Sequence, residues 1–508
     1  MAAKTFWIRD FSGGLNAKYS QNRIADNESP ACRNARWNRA GALTKRLGTV
    51  RTSITGSGAI QSIFPHAGST TERLLISDGD QVDSVNNSLG GLTSLITGLN
   101  NEWPPEFLYF NSNVYITNGN DTVRKVTTAE AVSTIAAYPV ARFHVVHKGY
   151  VFTLNQDAAG LRTRLQWSNY GDAETYTSTN FEDIAPLNNM VGLGLYSFGD
   201  ELIIFLGPNN VASSMVYTTG RMFRLMGDIF DASNPTYILE EIPLPPNVGL
   251  LGHGHRTIQA MRGMLIFMSN DGPYSYTGGG SMPMPIGDQL RNQISGWEKA
   301  DINTAGKMAA ATVWKNQYWC SIYKSDISND VYDNWLYVLD ENGKWWVDLI
   351  DPALDSFVTG GSTGGSWAYF NNKLYGCSSG SNMLREWDVT ATFTETLDAG
   401  TVGAVNFSFL TKEFDFQTPQ RFIRCWVHLK RQSSGTLTFY HNVNQTGAVS
   451  ASLDMTAPDT GTDETASSNI LRKLVDIGKI GRTIQFRPHD LGANDLEIYA
   501  IELEHENA

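Results

Sequence analysis

The residues best suited to chemistry are two histidines on either side of a glycine, His253-Gly254-His255. An extended backbone would turn both imidazoles to one side, as a metal site needs. No third ligand follows at a telling spacing, and the neighbouring glycines suggest a mobile loop. Asp78-Gly79-Asp80, Asn118-Gly119-Asn120-Asp121 and Asn270-Asp271-Gly272 gather many oxygens. None fits a calcium loop with its closing Glu, and the same residues are the ordinary stuff of tight turns, which is the better reading. No metal or other cofactor is called for. A Walker loop, an HExxH pair and a dinucleotide fingerprint are all absent. Gly278-Gly279-Gly280 lacks the Lys-Ser/Thr pair of a phosphate cradle and reads as a flexible surface turn. Glycoside hydrolysis needs two carboxylates at a fixed separation, and 51 acidic residues single out no pair. The 56 aromatics (13 Trp, 20 Tyr, 23 Phe) could include a sugar-stacking surface, but most sit in strand patterns and suit a core. The chain is not expected to be an enzyme.

The elements that would position any site come from a repeat. A turn, four or five apolar or aromatic residues and a second turn rich in Asn, Asp and Gly recur seven times, centred on Leu75, Tyr115, Val151, Ile203, Leu265, Trp319 and Tyr375. The spacings are 40, 36, 52, 62, 54 and 56 residues, which suits one four-stranded sheet per repeat. One such sheet cannot bury both faces alone, whereas a closed ring of them can. The expected fold is therefore all-β: a β-propeller of about seven blades, within a range of six to eight, over residues 51–395. Ser269-Asn270-Asp271-Gly272 faintly resembles the aspartate box of sialidase-type propellers, but it occurs once and lacks that box's tryptophan.

Other segments frame this ring. Residues 1–50 form an irregular arm. Phe11 to Asn16 is a glycine-bent loop, Ser29 is an expected N-cap for a short helical turn reaching Asn34, and 35–46 reads as a hairpin. Trp335–Asp340 and Lys344–Leu349 flank a short turn at Gly343, which sets up cross-strand pairing among Trp335, Tyr337, Trp345 and Trp346. The stretch 203–265 holds Pro235, Pro243, Pro245 and Pro246 and reads as a long loop on one face. Ile286, Leu290 and Ile294 have helical spacing. Residues 390–404 read as a linker. Beyond it, strands are expected at 406–416, 436–441, 471–477, 482–487 and 496–504, with alternation from Ile423 to Lys430, giving a C-terminal β-sandwich over 404–508.

Charge is uneven. The net is −12, yet residues 1–52 hold ten Lys or Arg against three Asp or Glu, so the remainder carries 29 basic and 48 acidic residues. An acidic body argues against general nucleic-acid binding. A basic arm suggests either docking on another acidic surface or folding back onto its own. The four cysteines, Cys32, Cys320, Cys377 and Cys425, lack CxxC spacing and suit buried thiols. MAAKTFWIRD is broken by charge and does not suit a signal peptide, and no apolar run is long enough to span a bilayer. These features fit a soluble protein made in a reducing cytoplasm.

Several phrases carry a resemblance. FSGGLN and then ADNESPACRNARWNRAGALTKRLGT in the arm are similar to the opening of tailed-bacteriophage virion propellers. The segment Arg164 to Glu174 (RLQWSNYGDAE) and the stretch Ile258 to Tyr276 resemble two blade phrases of that family, and Leu496–Glu504 (LEIYAIELE) its ending. Pro273 stands where the family commonly has a branched apolar residue. The resemblance implies a structural component of a short-tailed phage tail, of the nozzle, hub or packaged-DNA stabilisation type. Such proteins form a ring, usually of six copies, below the portal and adaptor, extend the DNA channel, retain the genome and conduct double-stranded DNA during ejection. Its expected partners are copies of itself, the portal-adaptor ring and tail fibre or spike proteins. Its expected place is the virion tail, assembled in the host cytoplasm. The basic arm then supplies the candidate adaptor-docking residues Lys4, Arg9, Lys18, Arg23, Arg33, Arg36, Arg39, Lys45 and Arg46. The competing reading is a propeller that recognises or cleaves host-surface glycans, with the sandwich as a carbohydrate module. A WD-type interaction propeller fits less well, because Trp-Asp endings and Gly-His starts do not recur from blade to blade.

Overall fold

Each of the seven repeat centres lies in the second strand of its own antiparallel sheet, and those sheets are the seven blades of a propeller. The computed structural model describes residues 3–38, 41–156, 160–184, 190–208, 220–228, 236–252, 254–294, 309–326, 331–349, 364–378, 382–389, 393–396, 402–459 and 469–508. Blades 1 to 6 span 60–96, 106–134, 141–183, 190–242, 259–285 and 310–349, each with four strands in chain order. Blade 7 takes three strands from 364–389 and its fourth, Gly48–Thr55, from the other end of the chain. That exchange closes the ring, so the propeller begins at Gly48 rather than at 51.

The local chemistry explains the repeat. Second strands such as Glu201–Pro208 and Met264–Ser269 are buried along nearly their whole length, because neighbouring blades cover both faces. First and second strands are joined in five blades by two residues that both have positive φ: Asn111-Ser112, Lys148-Gly149, Arg262-Gly263, Lys315-Asn316 and Asn371-Asn372. Such turns match the right-handed twist of the strands, and Asn and Gly tolerate the left-handed region. These are the turns that open each sequence repeat.

The hairpin of Val331–Leu339 with Trp345–Leu349 forms as expected, but its register sets Tyr337 opposite Val347 and Leu339 opposite Trp345, not aromatic against aromatic. Trp345 and Trp346 are fully buried, and their indole N–H groups donate to the Ile286 carbonyl at 2.7 Å and to Asp340 Oδ2 at 2.8 Å. The proline-bearing stretch 203–265 is not one loop. It contains the third and fourth strands of blade 4, Arg221–Met226 and Ile238–Ile242, since sheet pairing outcompetes the loop signal outside the prolines themselves. Among the described residues, helix is confined to the 3-10 turn His255–Thr257 and a second 3-10 turn, Asp288–Leu290, running into Arg291–Ile294.

The arm is built into the C-terminal sheet. Lys4–Ile8 pairs with Glu497–Asn507, Ala31–Arg33 with Phe407–Leu410, and Leu43–Lys45 with the start of Glu497–Asn507. Ser29 is therefore not a helix N-cap. Its hydroxyl donates to the Leu410 carbonyl at 2.7 Å, and the strand pairing that follows removes any helical turn. Phe414–Lys430 and Ile470–Asp490 are the long strands of this ten-stranded sheet, and breaks in their register let it fold over a shared core. The expected strands 471–477 and 482–487 are thus one. The expected linker also carries structure: Thr394–Thr396 and Val402–Ala404 pair with each other and extend blade 7 beyond Gly48–Thr55. One continuous hydrophobic core joins the arm, blade 6 and the C-terminal sheet, through residues such as Phe11, Leu15, Trp345, Phe409 and Leu503.

Candidate functional site

Two places concentrate functional side chains: the propeller axis, and the seam where the arm meets the body. At the axis, the 3-10 turn His255–Thr257 precedes the first strand of blade 5. Arg256 reaches from it to the opposite side of the ring. Its Nε donates to Glu106 Oε1 of blade 2 at 2.9 Å, Nη1 to the Gln61 carbonyl of blade 1 at 2.7 Å, and Nη2 to Ser62 Oγ at 2.5 Å and the Pro105 carbonyl at 3.0 Å. His255 packs against the Phe143 ring of blade 3, with centroids 4.5 Å apart. Tyr318 of blade 6 donates to the Thr257 carbonyl at 2.8 Å. One turn thus ties blades 1, 2, 3, 5 and 6 together.

The groups around this turn are tuned by burial. His144, bonded through Nδ1 to the Tyr138 hydroxyl at 2.8 Å, has its pKa pushed down to about 3, chiefly by burial and then by His255. His255 is lowered as well, mainly by burial. Arg142 stacks on Trp103 at 3.4 Å, and burial pulls it down to about 10. His255 is thus held in a packed turn, not in the mobile loop that the glycines suggested. Gly254 is held by its N–H to the Leu251 carbonyl at 2.7 Å, while His253 lies outside the described residues. Among the described residues, no group of three or more His, Cys, Asp or Glu could hold a metal.

The other motifs resolve similarly. Asn118 Oδ1 accepts the N–H groups of Asn120 and Asp121 at 3.0 and 2.8 Å, which is turn chemistry. The glycine run 278–280 is anchored, correcting the flexible-turn expectation. Glu201 accepts the Gly279 N–H at 3.0 Å, the Arg224 guanidinium at 2.6 Å and the Tyr276 hydroxyl at 2.6 Å, so the run wraps a buried ion pair. The four cysteines are free and buried, and burial raises each thiol's pKa. No helix among the described residues is long and apolar enough to cross a membrane.

At the seam, much of the arm's positive charge is spent internally. Lys45 Nζ meets Asp490 at 2.5 Å with both side chains fully buried. Arg36 grips Asp348 with both guanidinium nitrogens. Arg46, buried and pulled down to about 10, lies between Asp348 at 3.8 Å and Glu395. Lys18 pairs with Asp288 at 2.7 Å. Lys45 and Arg46 are buried and so not free to dock, while Arg36 and Lys18 each already hold a carboxylate of the body. Lys4, Arg9 and Arg23 are exposed, with Arg9 lying over Trp7 at 3.9 Å. Arg33 is half-buried, and Arg39 lies outside the described residues. Sequence reasoning did not single out Arg256, Glu106 or Asp348. Their meaning lies in partners 150 to 312 positions away, which no local spacing encodes.

By its hydrogen-bonded sheets, the molecule belongs to the class of seven-bladed β-propellers, with a β-sandwich into which its N-terminal arm is woven. No protein-family model and no curated protein matches the chain. Similar solved structures include BamB from Moraxella catarrhalis, at 10% identity and a TM-score of 0.35, covering 77% of this chain and 99% of that one. Another is the extracellular domain of the one component system BT4673 from B. thetaiotaomicron, at 11% identity and a TM-score of 0.41. The match covers 82% of this chain and 48% of that one. These likenesses concern fold and carry no functional argument.

Proposed function

We propose that the chain is a structural component of a short-tailed bacteriophage tail, a nozzle or hub ring that extends the DNA channel, holds the packaged genome and conducts it during ejection. The observation that carries this reading is where the resembling phrases sit. LEIYAIELE lies hundreds of positions from FSGGLN and the ACR strand, yet all three belong to the assembly of arm and C-terminal sheet. Gly14 shows why the glycine-rich phrase is needed: its φ is +69°, and a Cβ there would stand 2.6 Å from the Trp345 carbonyl oxygen of blade 6. The phrases of the two chain ends thus meet in one structural unit, while the two blade phrases lie in blades 3 and 5.

The axis fits the same role. Arg256 bonds from blade 5 to blades 1 and 2 across each propeller, so in such a ring DNA would run between copies and not through a propeller. A net charge of −12 suits a wall that must not grip phosphates, since counterion release on binding would stall the duplex. Contact with the adaptor falls to the exposed arm residues Lys4, Arg9 and Arg23. Sedimentation of the purified chain tests the reading. A discrete ring-sized oligomer, six copies by the resemblance, is expected; a monomer at every concentration up to those of assembly would refute it.

A further inference from the structure

Where the arm hairpin, blade 6, blade 7 and the C-terminal sheet meet, they enclose a cleft of about 440 Å3. That lies within the roughly 300–1,000 Å3 range of small-molecule sites, and such sites favour junctions between units. Its walls are aromatic and come from separate elements: Trp37 from the hairpin, Trp319 from blade 6, Trp387 and Phe393 from the edge of blade 7. Trp37, Trp387 and Phe393 are only half-buried, so the cleft keeps aromatic surface accessible. Trp319, Trp367 and Trp387 interlock edge to face, with centroids 6.4 and 5.1 Å apart, which fixes two of the walls.

The polar groups define the ligand further. Four cations line the cleft, and each already has a carboxylate: Arg36 and Arg46 have Asp348, Lys45 has Asp490, and Lys315 has Asp388 at 2.6 Å. Nothing is left over to select an anion. Two groups retain capacity for neutral hydroxyls. Gln317 accepts from Trp319 Nε1 at 3.1 Å through Oε1, and its amide N–H groups have no partner among the described residues. Asp388 accepts from Trp314 Nε1 at 2.8 Å and from Lys315, with lone pairs to spare. A φ of +56° at Asp388, beside a register break in its strand, sets the carboxylate at the cleft.

We propose that this cleft binds a neutral saccharide, a pyranose ring or a short chain of them. The apolar faces of the sugar would lie on the tryptophans, with hydroxyls bonded to Gln317 and Asp388. The proposal is independent of the ring reading, because the cleft lies within one chain.

The test titrates the full chain with neutral gluco-, manno- and chito-oligosaccharides of two to four units, reading tryptophan fluorescence and saturation-transfer NMR. Saturable binding at about millimolar affinity is expected for one series. Trp387→Ala and Gln317→Ala should each weaken it about tenfold, while Trp7→Ala, which does not line the cleft, leaves it unchanged. Gln317→Ala guards against a folding defect in the tryptophan variant. No saturation up to about 20 mM in any series overturns the proposal. So does binding that ignores both cleft variants, or binding confined to acidic sugars or to peptides. Sedimentation of the same variants reports ring assembly separately, so either reading can fail alone.

Discussion

Asp83 shows how burial tunes one residue. It sits beside Asp78 at the seam between blades 7 and 1, and both side chains are buried. Burial first, and Asp78's charge second, raise its pKa to about 6 from 3.8. A carboxyl whose folded-state pKa is raised holds its proton more tightly when folded. The stability it contributes is full below pH 3.8 and is lost as pH rises through about 6. Asp83→Asn should therefore stabilise the protein at pH 7.5 by about 1–2 kcal/mol, below the shift's face value because water screens part of the pair. It should also flatten the dependence between those pH values, which urea melts across pH 4 to 8 will show. A variant with wild-type pH dependence would contradict the assignment. Arg256 is the opposite case, a charge fully employed. Arg256→Ala leaves Glu106 without its partner and should cost about 3–5 kcal/mol in urea denaturation. Arg256→Lys should recover less than half, since an ammonium cannot serve four acceptors spread over two blades. A loss below about 1 kcal/mol in the alanine variant would show that the propeller does not depend on this contact.

Two elements decide whether the ring closes and the arm seats. Gly48–Thr55 is the fourth strand of blade 7, so deleting residues 1–56 should leave an open ring with exposed edges that aggregates on expression. Soluble protein with an unchanged melting temperature would contradict this. Gly14→Ala meets both a left-handed backbone and the Trp345 carbonyl, and should cost about 2 kcal/mol and loosen the arm to protease. The blades were legible in the sequence because each turn-strand-turn unit is local: Lys148-Gly149 or Asn371-Asn372 announces a hairpin, and the buried strand follows at once. The C-terminal strands were legible by alternation from Ile423 onward. Ser29 misled because its partner, Leu410, is 381 residues away, and local capping rules cannot see it. The arm's charge left docking and folding back equally open for the same reason. Lys45 and Asp490 are 445 positions apart, so a surplus visible in sequence is neutralised in space. Seven blades and a buried turn follow one rule: what depends on neighbours within a hairpin can be read, and what depends on ring closure cannot.

At the scale of the whole molecule, one buried turn crosses the propeller from blade 5 to blades 1 and 2, and the body around it is acidic. That acidic body predicts that a short DNA duplex will not bind measurably at physiological salt, as fluorescence anisotropy can check. Tight, salt-sensitive binding would point to a DNA-gripping role instead. The most direct test of the central claim is a cryo-electron microscopy reconstruction of the purified protein at assembly concentrations. The account predicts a closed ring of several copies around an open lumen wide enough for duplex DNA, with density for Arg256 crossing every propeller. A solitary disc, or a ring whose only through-passages are the propeller axes themselves, would contradict it.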